Sequence, residues 1–215
     1  RQIYVTAGNA NAGILPSPSK HKKGTPNTME QKYYHMNIVG CERDLPLCPL
    51  NEHLMIGAFV IFGDPELTTA CAAELLRRVP AYDYIITAEA KGIPLAHEMA
   101  RLAGNQRYLL ARKGPKLYMR HILDVSVHSI TTDREQHLYV DGEDAARMKG
   151  KRILIVDDVV STGESLHALE TLVNEAGGII CGRACILAEG EAANRSDLVY
   201  LEKLPLFDAA GNPLD

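Results

Sequence analysis

The chain is expected to fold as an α/β domain, with an open, parallel, twisted sheet flanked by helices. Three observations predict it. Short apolar runs alternate with amphipathic helical stretches from about residue 64 onward, the pattern of right-handed βαβ units. One run, Ile153-Leu154-Ile155-Val156, is continuously apolar, as in a central strand buried on both faces. The length of 215 residues allows one large domain or two small ones at roughly 100–200 residues each.

The elements follow in order. Asp64-Pro65 opens the first core helix, because Asp caps a helix N-terminus well and Pro is tolerated at the first helical position. Leu67, Cys71, Leu75 and Val79 then recur near helical spacing, and Pro80 stops the run. Tyr84-Ile85-Ile86-Thr87-Ala88 reads as a buried strand. It leads into a tight turn, Glu89-Ala90-Lys91-Gly92, and a short helix ending at Gly104. Arg107 to Ala111 is another strand. Residues 113–137 are polar, with a weak apolar alternation at Val125, Val127 and Ile130, compatible with a long hairpin or with a loop. A strand over 136–140 and a short helical turn from Gly142 to Met148 precede the apolar run. Leu166, Leu169, Leu172 and Val173 form the next helix, ended by Gly177-Gly178. Ile179 to Leu187 is one more strand, and Leu198 to Leu201 a short last one.

Composition narrows the function classes. Lys plus Arg is 23 and Asp plus Glu is 27, a net charge of -4, so a generally basic nucleic-acid binder is disfavoured while a local basic site is not. No apolar run reaches the roughly 18–20 residues of a membrane span, and the N-terminus lacks the apolar stretch of a secretory signal. The cysteines are Cys41, Cys48, Cys71, Cys181 and Cys185. They are odd in number and lack C-x-x-C spacing, which argues for free thiols in a reducing cytoplasm. Cys71 and Cys181 sit among apolar neighbours and read as buried thiols. The histidines are scattered and form no zinc motif. Residues 1–28 are rich in Gly, Pro, Ser, Asn and Lys and read as a disordered extension without chemistry, with Met29 as a possible natural start.

In open parallel sheets, ligands bind beyond the carboxyl ends of the strands. After Val156 comes Asp157-Asp158-Val159-Val160-Ser161-Thr162-Gly163-Glu164-Ser165, and then a helix. Ser161, Thr162, Gly163 and Ser165 put backbone N–H groups and hydroxyls at a helix N-terminus, an anion site suited to a phosphate monoester. Gly163 permits close backbone approach. Two adjacent carboxylates just upstream cannot serve that phosphate. They can accept hydrogen bonds from sugar hydroxyls and help hold a hydrated Mg²⁺. Phosphate at one end and diol at the other describe a ribose 5-phosphate. The loop has no G-K-[ST] and no G-x-G-x-x-G, so it is neither a Walker A loop nor a dinucleotide fingerprint. A response-regulator receiver carries its paired aspartates after the first strand, with most of the domain still to follow, unlike here. A capped strand–turn–helix junction explains the hydroxyls but not two sheet-end aspartates as well. Residues 107–120 add Arg107, Arg112, Lys113, Lys116 and Arg120 with no acid among them, either a solvated basic edge or a surface facing a polyphosphate.

The segment ILIVDDVVSTGES resembles the phosphoribosyl-pyrophosphate (PRPP) signature of type I phosphoribosyltransferases, with Glu164 where that family commonly has Gly and Ser165 where it has Thr. Thr87 to Pro94 resembles the family's pyrophosphate-binding turn in its purine-salvage form, and Ala111-Arg112-Lys113 with Lys116 its basic segment before a mobile loop. Gly40 to Pro46 resembles the N-terminal hood strand of adenine-type members. The likeness covers roughly residues 33–205. It implies a small N-terminal hood over about 33–63, a core over about 64–205, and a phosphoribosyltransferase domain spanning 29–215.

The reaction so implied is PRPP plus a nitrogenous base giving a nucleoside 5′-monophosphate and pyrophosphate, in a Mg²⁺-dependent cytoplasmic homodimer with no nucleic acid or membrane as partner. Asp157 and Asp158 are the implied catalytic carboxylates and, through water, the Mg²⁺ ligands. PRPP would lie against Ala88, Glu89, Ala90, Lys91, Gly92, Arg112, Lys113 and Lys116, and against Val159, Val160, Ser161, Thr162, Gly163, Glu164 and Ser165. Residues 113–137 would be a lid, in which Tyr118, Arg120 and His128 could touch substrate. Arg43 and Leu45 of the hood are the candidates for base contact. Adenine is the favoured base from the hood pattern. A 6-oxopurine is the alternative: the 87–94 turn also resembles archaeal hypoxanthine enzymes, and Val127 to Thr131 bacterial xanthine enzymes. A non-catalytic PRPP or purine sensor is the third reading, although residues 1–32 are too short and Gly/Pro-rich for a helix-turn-helix.

Overall fold

The structure, a computed structural model, describes residues 31–128 and 135–214; residues 1–28 and Ile130, on which expectations were placed above, lie outside them. In chain order the elements are β1 (Tyr33–Ile38), β2 (Cys41–Pro49), β3 (Leu54–Gly57), α1 (Pro65–Arg78), β4 (Tyr84–Ala88) and α2 (Ile93–Leu102). Then come β5 (Leu109–Ala111), β6 (Leu123–His128), β7 (Glu135–Val140), α3 (Gly142–Met148) and β8 (Arg152–Val160). The last are α4 (Glu164–Glu175), β9 (Ile179–Glu189), a short 3₁₀ turn (Gly190–Asn194), β10 (Val199–Leu204), β11 (Leu206–Asp208) and β12 (Pro213–Leu214).

The core sheet runs β5-β4-β8-β9-β10, parallel throughout. Ile153 and Ile155 of β8 face one apolar layer with α4, while Leu154 and Val156 face the other with α1 and α2. That two-sided burial is why the run carries no polar residue. Helix α1 starts where the sequence places it: Asp64 accepts a hydrogen bond from Leu67 N at 3.1 Å, with Pro65 at the first position. Within 113–137, β6 pairs antiparallel with β7, and the Arg112–Tyr139 bridge joins the pair to the sheet edge, while residues 129–134 lie outside the described residues. No helix among the described residues is long and apolar enough to cross a membrane. All five cysteines are free. Cys71 is buried, its thiol pushed up to about 12 by burial; Cys181 is only half-buried, and Cys185 is the second buried thiol.

The hood departs from expectation at its far end. β1, β2 and β3 form it as an antiparallel sheet, but β11 and β12 complete it, in the order β1-β2-β3-β11-β12. The C-terminal segment after residue 205 therefore belongs to the hood. Phe207 is its anchor: fully buried, edge-on to Tyr34 with ring centroids 4.9 Å apart, and beside Gly57, where a Cβ would meet its ring at 3.5 Å. Phe207→Ala is expected to cost about 3–5 kcal/mol through lost burial and a cavity, read as a lower denaturant midpoint. A change under about 1 kcal/mol would mean that the C-terminal strands contribute little to the hood.

Candidate active site

The chain runs from β4 outward to β5 on one side, then returns to β8 and builds β9 and β10 on the other. The β4/β8 boundary is thus the switch point of the sheet, where open α/β sheets bind ligands. Pairing of β4 with β8 ends at Ile86 and Ile155, whereas β8 stays paired with β9 out to Val160 and Ala188. This corrects the expected strand end at Val156: the two aspartates sit within β8, not in the loop after it. The β9 ladder holds them rigidly, and the loss of the β4 neighbour opens a cleft beside them.

The Glu89–Gly92 turn closes the far wall of that cleft. Lys91 Nζ lies 2.8 Å from Asp158 Oδ2, an ion contact whose angles do not make it a hydrogen bond. Asp158 is 3% exposed. Its N–H donates to Asp157 Oδ1 at 2.9 Å. Burial, then the neighbouring Asp158 charge, pushes Asp157 up to about 7. One carboxylate is therefore ion-paired while its neighbour retains a proton for part of the time at neutral pH.

Gly92 is required by space, not by backbone angle. A Cβ there would stand 2.2 Å from Thr87 Oγ1, 3.0 Å from Asp157 Oδ1 and 3.3 Å from Asp157 Cα. Thr87 itself is fully buried, and its hydroxyl has no partner among the described residues. From the sequence Thr87 has no role beyond its place in the turn motif. A polar β-branched residue in an otherwise apolar strand was the available signal.

Glu89 lies in the turn, yet its groups are engaged internally. Its N–H donates to Ala111 O at 2.8 Å, and its carboxylate accepts from Lys113 N at 3.2 Å and lies 3.2 Å from Arg112 Nε. The N–H groups of Ala90, Lys91 and Gly92, by contrast, donate to no backbone carbonyl among the described residues; Ala88 ends β4 just before the turn. The Glu89–Ala90 peptide is cis.

On the other side of Asp157, Val159, Val160 and residues 161–166 line a cleft of about 230 Å³. Ser161, Thr162 and Ser165 are exposed. Gly163 has φ +80°, the left-handed region, and offers α4 no side-chain cap. The Glu164 N–H reaches Thr162 Oγ1 at 3.5 Å, and the start of a helix is where unsatisfied N–H groups and the helix dipole favour an anion.

The five-cation stretch is split by the fold. Arg107 precedes β5, at the opposite end of the sheet, and pairs with Asp144 at 2.8 Å. The expectation that all five cations flank the phosphate site is corrected accordingly: a parallel strand separates its two ends. Arg112 stands at the carboxyl end of β5, against Glu89; exposed Lys113 and half-buried Lys116 follow it. Tyr118 and Arg120 are exposed, Arg120 N donating to Asp141 Oδ2 at 2.9 Å. The side chain of His128 lies outside the described residues.

In the hood, Arg43 Nε binds Asp64 Oδ2 at 2.6 Å and Nη2 binds Glu66 at 2.8 Å, which ties β2 to the start of α1. Leu45 is a core side chain, 5% exposed, so a base could meet its backbone and not its isobutyl group. No group of three or more His, Cys, Asp or Glu among the described residues could hold a metal alone. Two adjacent carboxylates at a cleft nevertheless fit Mg²⁺, which keeps most of its waters and commonly takes further ligands from substrate phosphates.

Residues 70–204 match the family model of the phosphoribosyl transferase domain. A hypoxanthine/guanine phosphoribosyltransferase of Methanococcus vannielii is 32% identical over 161 residues, 71% of this chain and 83% of that protein. An adenine phosphoribosyltransferase of Petrotoga mobilis is 28% identical over 163 residues, 74% of this chain and 90% of that protein. Among solved structures, an adenine phosphoribosyltransferase from Leishmania donovani superposes with a TM-score of 0.59 at 18% identity, covering 80% of this chain and 76% of that one, a likeness of fold. With the family pattern spanning the switch-point cleft, the aspartate pair and the phosphate loop, the chain belongs to the phosphoribosyltransferase family.

Proposed function

We infer that the protein is a purine phosphoribosyltransferase, transferring the 5-phosphoribosyl group of PRPP to a purine nitrogen with release of pyrophosphate. The observation that carries this reading is the convergence on one cleft of three groups. These are a phosphate loop at 161–165, the Asp157-Asp158 pair, and a close turn at 90–92 bearing Lys91.

Each segment then has a task. The N–H groups and hydroxyls of Ser161, Thr162, Gly163 and Ser165 hold the 5′-phosphate. Asp157 and Asp158 accept hydrogen bonds from the ribose hydroxyls and place negative charge beneath a sugar that becomes oxocarbenium-like as its C1–O bond to pyrophosphate breaks and the C1–N bond forms. The N–H groups of Ala90, Lys91 and Gly92 receive the pyrophosphate, with Arg112, Lys113 and Lys116 alongside. Lys91, paired with Asp158 across the cleft, brings its ammonium to the side where the pyrophosphate leaves. Asp157 and Asp158 are the residues that would hold Mg²⁺ through water, and the ion would supply neutralisation of the charge developing on pyrophosphate. The β6–β7 pair and the residues before it suit a cover that keeps water from the reacting sugar.

Adenine is the first choice of base, supported by the hood strand Arg43-Asp44-Leu45-Pro46. A 6-oxopurine is the second, supported by the relatives of about one-third identity that carry the hypoxanthine/guanine name. Incubation with PRPP, Mg²⁺ and each of adenine, hypoxanthine, guanine and xanthine in competition is expected to give AMP fastest. Faster formation of a 6-oxopurine nucleotide would transfer the assignment to the second reading. No nucleotide from any of the four would leave a PRPP- or purine-binding sensor.

A further inference from the structure

Beside Gly163 of the phosphate loop stands an arginine that no sequence signal singled out. Arg195 follows the 3₁₀ turn between β9 and β10, some thirty residues beyond the loop. Its Nε and Nη2 clasp Asp197 at 3.0 and 2.9 Å. Nη2 also lies 3.8 Å from Glu170 Oε1, on α4. Glu170 in turn is held by Arg183 of β9, which reaches Asp197 at 3.4 Å as well. Two arginines and two carboxylates thus close a neutral network joining α4, β9 and the β9–β10 connection. Arg195 Nη1 is bound by neither carboxylate. It sits 3.4 Å from the position a Cβ on Gly163 would take, beside the point where the backbone enters its left-handed turn.

We propose that Arg195 is a positioning residue for the phosphate loop: anchored by Asp197 and Glu170, it backs Gly163 and so fixes the N–H groups of residues 163–165 in the geometry that receives a phosphate monoester. A planar guanidinium clasped along its Nε–Nη2 edge suits this, because its fork is rigid where a lysine would be a mobile point charge. The neutral network also indicates that position, rather than net field, is what Arg195 contributes. The Asp197 carboxyl is held below its usual range chiefly by Arg195, so the clasp stays charged at neutral pH.

The inference rests on reading residues 161–165 as the 5′-phosphate cradle, and its test separates the two. Ribose 5-phosphate and pyrophosphate are titrated separately into the full chain by calorimetry, with melting temperature and KM for PRPP and base measured in parallel. Arg195→Ala is expected to weaken ribose 5-phosphate and raise KM for PRPP about tenfold. Pyrophosphate affinity, KM for the base and kcat at saturation are expected to stay within about twofold. Asp197→Asn keeps the cation but releases its anchor, and is expected to weaken ribose 5-phosphate in the same direction. Arg195→Lys, the milder variant should Arg195→Ala fail to fold, is expected to fall between the wild type and alanine. Unchanged ribose 5-phosphate affinity overturns the proposal, as does an equal loss for pyrophosphate. Tighter binding by Asp197→Asn overturns it too, since a bare charge effect would give that sign. A wild-type chain that turns over PRPP but does not distinguish these variants sinks this inference alone, and one that binds no ribose 5-phosphate sinks the cradle reading with it.

Discussion

Replacing Asp157 and Asp158 together by Asn is expected to lower turnover by about 10³-fold or more, on the scale of removing preorganised electrostatic groups from a reacting centre. The fold should survive, because the β8–β9 ladder that holds both residues is made of backbone. The stability effect has a definite sign. In the folded chain Asp157 is pushed up to about 7, by burial first and by Asp158 second; unfolded, a carboxyl of this kind titrates near 3.9. Between those values the folded state binds more protons, so the contribution of Asp157 to stability is full below about pH 4. It is lost as pH rises through about 7. Asp157→Asn alone removes that slope. Thermal melts at pH 5 and pH 8 are expected to show a larger fall for the wild type than for Asp157→Asn. Superimposable profiles would mean that the Asp157 carboxyl is not pushed up in the folded chain. Near-normal turnover in the double variant would refute the ribose role of the pair.

Gly92→Ala is the second large effect, and it acts by contact alone. The added methyl would begin 2.2 Å from Thr87 Oγ1 and 3.3 Å from the Asp157 backbone. Neither can retreat: Thr87 is fully buried in β4, and Asp157 is in the central strand. The turn must therefore move, carrying the N–H groups of Ala90 to Gly92 and the Lys91 ammonium with it. A displacement near 1 Å at a reacting centre is worth on the order of 10²-fold, so kcat/KM for PRPP is expected to fall by about that factor. Helix α2 should persist, since its buried face, including Leu95 and Met99, is untouched. Removing the obstructing hydroxyl should restore part of the loss, so Thr87→Ala/Gly92→Ala is expected to outperform Gly92→Ala. Wild-type rates in Gly92→Ala would show that the close approach has no bearing on catalysis.

Much of this site was legible before the structure, and the reason is local. Asp64-Pro65 cap a helix by their own chemistry. The apolar run at 153–156 needs a sheet interior. A hydroxyl- and glycine-rich turn entering a helix binds anions wherever it occurs. Such features depend on neighbours within a few residues, so they can be read from the chain. What misled was equally local. The run of cations from Arg107 to Arg120 looked like one patch because it is one stretch of sequence. A parallel strand then placed Arg107 at the opposite end of the sheet from Arg112. The aspartates read as lying at the end of the sheet because polarity begins at Asp157, whereas hydrogen bonding to β9 carries the strand on to Val160.

By itself the sequence determined the parallel α/β core, the phosphate loop, the carboxylate pair and the close turn, because each is specified by side-chain chemistry or by periodicity along a short segment. Tertiary structure alone decided the rest. It brought Lys91 onto Asp158 across 67 positions of chain, set Gly92 against Asp157, returned Leu206–Leu214 to complete the hood, and seated Arg195 beside Gly163. These are contacts between segments remote in sequence. They follow from which strands lie side by side and where their pairing stops, and that is set by the packing of whole layers.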